Sequence, residues 1–156
     1  MNKLITTIII GLIVCACSSD NSDCCTVIDI GMDIKYVNQA GENLFDIENG
    51  LDIEEIKVYY KIDNEWELHY SYNLDSPKGI SLIQRGEETY LRLTPSIDIV
   101  TDGYSETKIE LSSEESDVIR TMIDKSQPNV IVTKVWYNND LKWEAYEDER
   151  MFEVVK

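Results

Sequence analysis

Past residue 25 the chain contains no cysteine; its four thiols sit at Cys15, Cys17, Cys24 and Cys25. The long remainder therefore folds without an internal disulfide, and its stability must come from a packed core. Cys24 and Cys25 are neighbours, and a bridge between them would be strained, because adjacent Cα atoms lie about 3.8 Å apart where a relaxed disulfide wants ~5.5 Å. They read as tether cysteines, free or paired between molecules. Histidine is nearly absent as well. His69 is the only one, so any triad or histidine-based zinc site would have to run through it.

Positive charge is scarce too. There are 14 Lys and Arg against 30 Asp and Glu, a formal net charge of −16. Residues 1–16 carry only Lys3, so the rest of the chain is one unit more negative still. That balance excludes nucleic acid, whose phosphates need a basic face, and electrostatic docking on anionic lipid. No apolar run reaches the ~20 residues a membrane-spanning helix needs. With 43% hydrophobic residues the chain can still bury a core, so disorder is not the reading for its body.

What is present begins with a targeting signal. Lys3 forms a positive start, and Leu4 to Val14 is an apolar run broken only by Thr6, Thr7 and Gly11, the layout of a secretory signal peptide. At its end Val14, Cys15, Ala16 and Cys17 resemble the lipobox of bacterial lipoproteins, with Ala16 before the cut and Cys17 after it. The resemblance implies cleavage of residues 1–16, a diacylglyceryl group on the Cys17 thiol and usually an acylated α-amine. Two or three acyl chains make a lasting anchor, since each buried methylene contributes ~0.8 kcal/mol. Cys15 is the poorer acceptor, because Val14 would then stand where a small residue is wanted. Residues 17–25 come next as a small, polar, acidic tether. Acidic residues this close to the lipidated cysteine resemble the surface-export signal of Bacteroidota lipoproteins, here interrupted by Asn21 and Ser22. The expected location is the outer membrane, in either leaflet, with the lipid bilayer as a partner through acylated Cys17.

Residues 26–156 read as one β domain. Ile28, Ile30, Met32, Ile34 and Tyr36 alternate with Asp29, Gly31, Asp33 and Lys35, the pattern of a half-buried strand. Ile56, Val58, Tyr60 and Ile62 repeat it; Asp63-Asn64 turns the chain; Trp66, Leu68, Tyr70 and Tyr72 are expected to return on the same buried parity. Short strands are expected over residues 80–84, 89–94 and 106–111, with Pro95 ending the second. Residues 113–124 fit a short helix or a buried strand, and the hairpin partner after them favours strand. Val130 to Tyr137, Asn138-Asn139 and Asp140 to Tyr146 form the clearest hairpin, since asparagine tolerates the positive φ of a two-residue turn. Its parity places Trp136 in the core, opposite Leu141 and diagonal to Trp143. Residues 151–155 add an edge strand. The expectation is an all-β, antiparallel sandwich of about eight short strands, immunoglobulin-like or transthyretin-like in architecture.

Chemistry is harder to find. His69 shares a face with Glu67 and Ser71, but neighbours on one strand are about 7 Å apart and no nucleophile-elbow motif is present, so it reads as a surface histidine. Asp46, Glu48 and Asp52 make the densest oxygen-ligand loop, a weak calcium candidate that lacks the Asp-x-Asp-x-Asp-Gly order. Glu144, Glu147, Asp148 and Glu149 form a second acidic cluster. No catalytic residue, cofactor or further metal site is implied. The chain is rich in Tyr and Trp, and Tyr59, Tyr137 and Tyr146 fall on the parity opposite the expected core, as ligand-facing aromatics. The signal, the acidic tether and the hairpin Val135 to Trp143 together resemble small Bacteroidota lipoproteins with a β-sandwich body. That resemblance implies a non-catalytic binding or structural module for protein or glycan. The alternative is an accessory enzyme or hydrolase acting on envelope or external polysaccharide. Two buried carboxylates in a cleft would favour the hydrolase, and exposed coplanar aromatics a glycan binder.

Overall fold

The computed structural model describes residues 26–100, 103–126, 128–146 and 148–156. The residues read as signal peptide (1–16) and as lipidated cysteine and tether (17–25), and Glu147, lie outside them. The described residues form no helix and eleven strands. These are β1 (Ile28–Asp29), β2 (Met32–Val37), β3 (Lys57–Ile62), β4 (Glu65–Leu68), β5 (Ile80–Arg85) and β6 (Glu88–Leu93), followed by β7 (Tyr104–Glu110), β8 (Ser116–Asp124), β9 (Val130–Tyr137), β10 (Asp140–Glu144) and β11 (Met151–Val155). One sheet runs β1-β9-β8-β7-β3-β4, with β10 sharing the β9 edge, and the other runs β11-β2-β6-β5.

Residues 116–124 are strand, as the hairpin argument favoured. The strand count is higher than expected, and the sheets are mixed rather than purely antiparallel. One of the added strands and the parallel pairing share a source. The first alternating run breaks at Ile30-Gly31 and changes sheet, so β1 lies parallel to β9 while β2 lies parallel to β11. Arg150 holds that crossover, donating from Nη1 to the Gly31 carbonyl at 2.7 Å and to Asp29 at 3.0 Å, and from Nη2 to the Val132 carbonyl at 3.1 Å.

The inner faces of the two sheets meet in one core. Met32, Ile34, Tyr36, Leu91 and Leu93 come from one side, and Val58, Ile109, Ile119, Val132 and Val135 from the other. Two hairpins carry a pair of adjacent positive-φ residues, Asp63-Asn64 (49° and 69°) and Asn138-Asn139 (49° and 74°), the primed turns that match strand twist.

Two faces are reversed from the sequence reading. In β9 the even parity is right at Val132, which is fully buried. The pairing with β8 then shifts, Met122 opposing Lys134 and Ile123 opposing Val132, so Thr133 is an extra residue. Such a bulge moves every later side chain to the other face. Val135 and Tyr137 therefore enter the core, Tyr137 only 4% exposed, and Trp136 turns outward against Leu141. Trp143 is buried all the same, because a second irregularity after Leu141 sets it opposite Val135. The other reversal is β4. A two-residue turn pairs Ile62 with Glu65 and hence Lys61 with Trp66, so Trp66 and Leu68 lie on the outer face and Glu67 on the inner.

Candidate binding site

The reversal of β4 leaves one flank of the two-sheet body open. The inward position of β4 is Glu67, an exposed carboxylate paired across from Tyr60. Across the gap β5 turns Ile80 and Leu82 inward, by their pairing with Leu93 and Leu91, yet Leu82 remains 41% exposed. Beside it the loop between β4 and β5 presents Tyr70, Tyr72 and Leu74, exposed by 49%, 87% and 56%. Leu68, 58% exposed, stands at the end of β4 on the outer face, next in the chain to this loop.

A groove runs through this flank. Its wider part, about 560 Å³, includes Ile56, Val58, Leu68, His69, Tyr70 and Glu110 in its walls. The narrower part, about 430 Å³, is bounded by Ile53, Tyr70, Asp75, Pro77, Ile80 and Leu82. Glu54, Tyr70 and Lys78 belong to both parts. Lys78 ties the wall together, donating to the Glu54 carbonyl at 2.6 Å and the Ile53 carbonyl at 3.3 Å.

The groove is pre-formed. The His69 ring stacks on Tyr60 at 4.0 Å with 20° between planes, and the Tyr60 hydroxyl donates to the Thr94 carbonyl at 2.9 Å, bridging the two sheets. Burial raises the Tyr60 pKa to about 12 and lowers that of His69, so both rings are held neutral. Gly79, with φ of +71°, packs on this stack; a Cβ there would sit 3.1 Å from both His69 and the Tyr60 hydroxyl. The loop base closes with Ser71 N–H donating to the Pro77 carbonyl at 2.8 Å. His69 is thus a structural ring beneath the groove, and neither Glu67 nor Ser71 is hydrogen-bonded to it.

The residues singled out from sequence are not brought together. Tyr59 is half-buried on the outer face, its ring 4.0 Å from the Lys108 ammonium, and Lys61 and Lys108 lie 5.4 and 5.5 Å from Trp66. Lysines cover the faces a ligand ring would stack on. Tyr146 is fully exposed just after β10, with β7, β8 and β9 between it and Tyr59. Tyr137 is expected to face outward from its parity, and the structure corrects this: its hydroxyl donates to Asp117 at 2.6 Å beneath the Tyr36 and Phe152 rings. Burial drives its pKa well upward, so it stays protonated. Among the described residues no three metal-ligating side chains converge. Asp46 accepts from the Thr89 hydroxyl at 2.6 Å and Asp52 caps the Glu54 N–H at 2.9 Å, while no hydrogen bond of Glu48 brings it to either.

A second cleft, about 490 Å³, holds Asp33, Arg85, Arg92, Trp143, Glu149 and Arg150. Its charges answer one another. Asp33, 2% exposed, accepts from Arg92 Nε at 2.8 Å and from Arg85 Nε at 2.7 Å, and Arg85 also pairs with Glu149. Burial alone would raise the Asp33 pKa, but the two guanidiniums outweigh it and hold the carboxyl below its ordinary 3.8. Lys35 and Lys57 do the same for Glu88 and Glu110. These shifts run opposite to that of a general acid, whose pKa must be raised to protonate a leaving group.

Sequence reasoning missed Leu68, Tyr70, Tyr72, Leu74 and Leu82 as an exposed set. Part of the signal was present, since a two-residue turn at Asp63-Asn64 necessarily exchanges odd and even positions between β3 and β4. No known family, curated protein or solved structure matches this chain.

Proposed function

We propose that this chain is a lipid-anchored protein of the bacterial outer membrane, acylated at Cys17, whose β body is a non-catalytic module that binds another protein. The anchor reading rests on the lipobox-like residues Val14 to Cys17 and the tether after them. The body is taken as a sandwich in the architectural sense of the immunoglobulin-like and transthyretin-like classes, with β1 and β11 added in parallel at its edges. The observation that carries the binding reading is the groove running from the end of β4 along the β4–β5 loop to the start of β5, lined by Tyr70, Ile80 and Leu82 and reaching the His69 ring that stacks on Tyr60. Uncovered apolar side chains of this kind mark contact sites.

Protein is favoured over glycan by the ring geometry. Tyr70 and Tyr72 meet edge to face at 64°, not as a coplanar platform for sugar rings, and Tyr59 and Trp66 are capped by lysines. Binding is favoured over hydrolysis by the carboxylates. Asp33 and Asp117 are buried, but one is tied to two arginines and the other to Lys156 at 2.6 Å, in different sheets. The test is photo-crosslinking in envelope preparations from Tyr72, with wild type compared against Tyr70→Ala combined with Leu82→Ser. Loss of the wild-type adduct in the double variant is expected. Equal adducts from both would remove the groove as the binding site, and release of reducing sugar from envelope polysaccharide would restore the hydrolase alternative.

A further inference from the structure

We propose that the free edge of β5 receives an extended segment of the partner protein as an added strand, and that this segment alternates apolar with basic residues. The inference rests on the groove being the binding site and goes on to name what fills it.

The first argument is the state of the sheet edges. Sheet edges expose unpaired N–H and C=O groups, and proteins guard them with short strands, charge, proline or a covering element. Among the described residues β4 is guarded: it is four residues long and two of them are Glu65 and Glu67. β1 is two residues, β10 carries Asp140, Lys142 and Glu144, and β11, the other edge of the β5 sheet, is five residues long with Glu153 at its centre. β5 differs. It runs six residues, Ile80-Ser81-Leu82-Ile83-Gln84-Arg85, has no proline, no charge before its last position, and, among the described residues, no neighbour on the side away from β6. Arg85 does not guard it, because its guanidinium is committed to Asp33 and Glu149.

The second argument is shape. A strand laid beside β5 would set alternate side chains on the inner side, next to Leu82 and over the groove floor of Ile53, Tyr70 and Pro77. That is the row β4 fails to supply, since its inward position is Glu67. An apolar residue at every second position of the guest would cover what β4 leaves open.

The third argument is charge, and it selects the occupant. The charges at this end of the groove are the carboxylates of Asp75 and Glu54 and the ammonium of Lys78, which lies 3.5 Å from the 84%-exposed Glu54 side chain and also donates to the Ile53 and Glu54 carbonyls, so the set sums to one negative charge with Asp75 unanswered by Lys78. The chain carries −16 overall, so a second copy is repelled as a guest. The tether at residues 17–25 is itself acidic and has no alternating apolar residues, which excludes it too.

The probe is a fluorescent heptapeptide alternating isoleucine or valine with lysine, titrated by anisotropy into the full chain in neutral detergent. Two controls accompany it, one with glutamate for each lysine and one N-methylated at alternate amides. The lysine peptide is expected to bind, to protect the β5 amides from hydrogen exchange, and to weaken by at least about tenfold, or ~1.4 kcal/mol, in either control. Leu82→Arg should weaken it similarly; Tyr70→Ala, in the loop, gives the same readout should Leu82→Arg fail to fold. Undiminished binding of the N-methylated peptide, without β5 protection, overturns strand addition yet leaves the groove in place as the site. Binding unaffected by either substitution overturns the groove reading as well. Preference for the glutamate peptide, no binding of any peptide, or β5 protection arising from self-association overturns the proposed guest.

Discussion

Tyr137 and Trp136 are adjacent, both aromatic, and placed on opposite sides of a sheet by one bulge, so replacing each with alanine tests the fold directly. Tyr137 is 4% exposed, with the rings of Tyr36 and Phe152 at 6.4 and 6.0 Å, and its hydroxyl serves the buried Asp117 carboxylate. Tyr137→Ala removes the ring and leaves a cavity, which costs ~3 to 5 kcal/mol. Tyr137→Phe removes the donor alone. Asp117 keeps Lys156 at 2.6 Å and Asn138 at 2.5 Å, so the loss is about 1 to 2 kcal/mol. Trp136 is half-buried on the outer face, where it meets Tyr104 edge-on at 5.4 Å; Trp136→Ala should cost ~1 to 1.5 kcal/mol. Urea unfolding followed by far-UV circular dichroism ranks the three. With a slope of about 1 to 3 kcal/mol per molar urea, the alanine at Tyr137 shifts the midpoint by roughly 2 M or unfolds the chain outright. A larger loss for Trp136→Ala than for Tyr137→Ala would refute the bulge at Thr133 and with it the assignment of both faces of β9.

On the proposed acylation of Cys17, Cys17→Ser should abolish fatty-acid labelling and membrane association while the body still folds; equal labelling of the variant would sink the lipobox reading. Thermal melts with and without a chelator should coincide, and a fall of many degrees on chelation would revive calcium binding by Asp46, Glu48 and Asp52. Asp33 has a folded pKa below its ordinary 3.8, so its stabilising contribution is present above that value and fades as pH falls through the folded pKa. Asp33→Asn should therefore be less stable than wild type at pH 7, by less than the ~3 to 5 kcal/mol of a fully buried pair, since Arg85 and Arg92 can rehydrate. The difference should narrow below pH 3.8, and a gap constant across that range would contradict the ion-pair account.

By itself the sequence determined most of the strands. Alternation of apolar and polar residues carries strand identity, because a strand's side chains point to opposite faces with period two, and the 32–36, 56–62 and 140–144 runs announce strands in this way. Asn and Asp at the turns were legible for the same local reason, their tolerance of positive φ. The lipobox-like run at Val14 to Cys17, on which the proposed anchor rests, is likewise a local pattern. Which face each strand buries was another matter. Parity survives only until a residue is added, and the bulge at Thr133 depends on how β9 meets β8, a partner whose register periodicity does not reveal. The sheet change at Gly31 likewise depends on Arg150 reaching back across 119 positions. The groove belongs to the same category. Leu68, Tyr70 and Leu82 look like core residues in sequence, and they are left uncovered because β4 is short, reversed and last in its sheet. Exposure is a property of what packs against a side chain, and only the tertiary structure decides that.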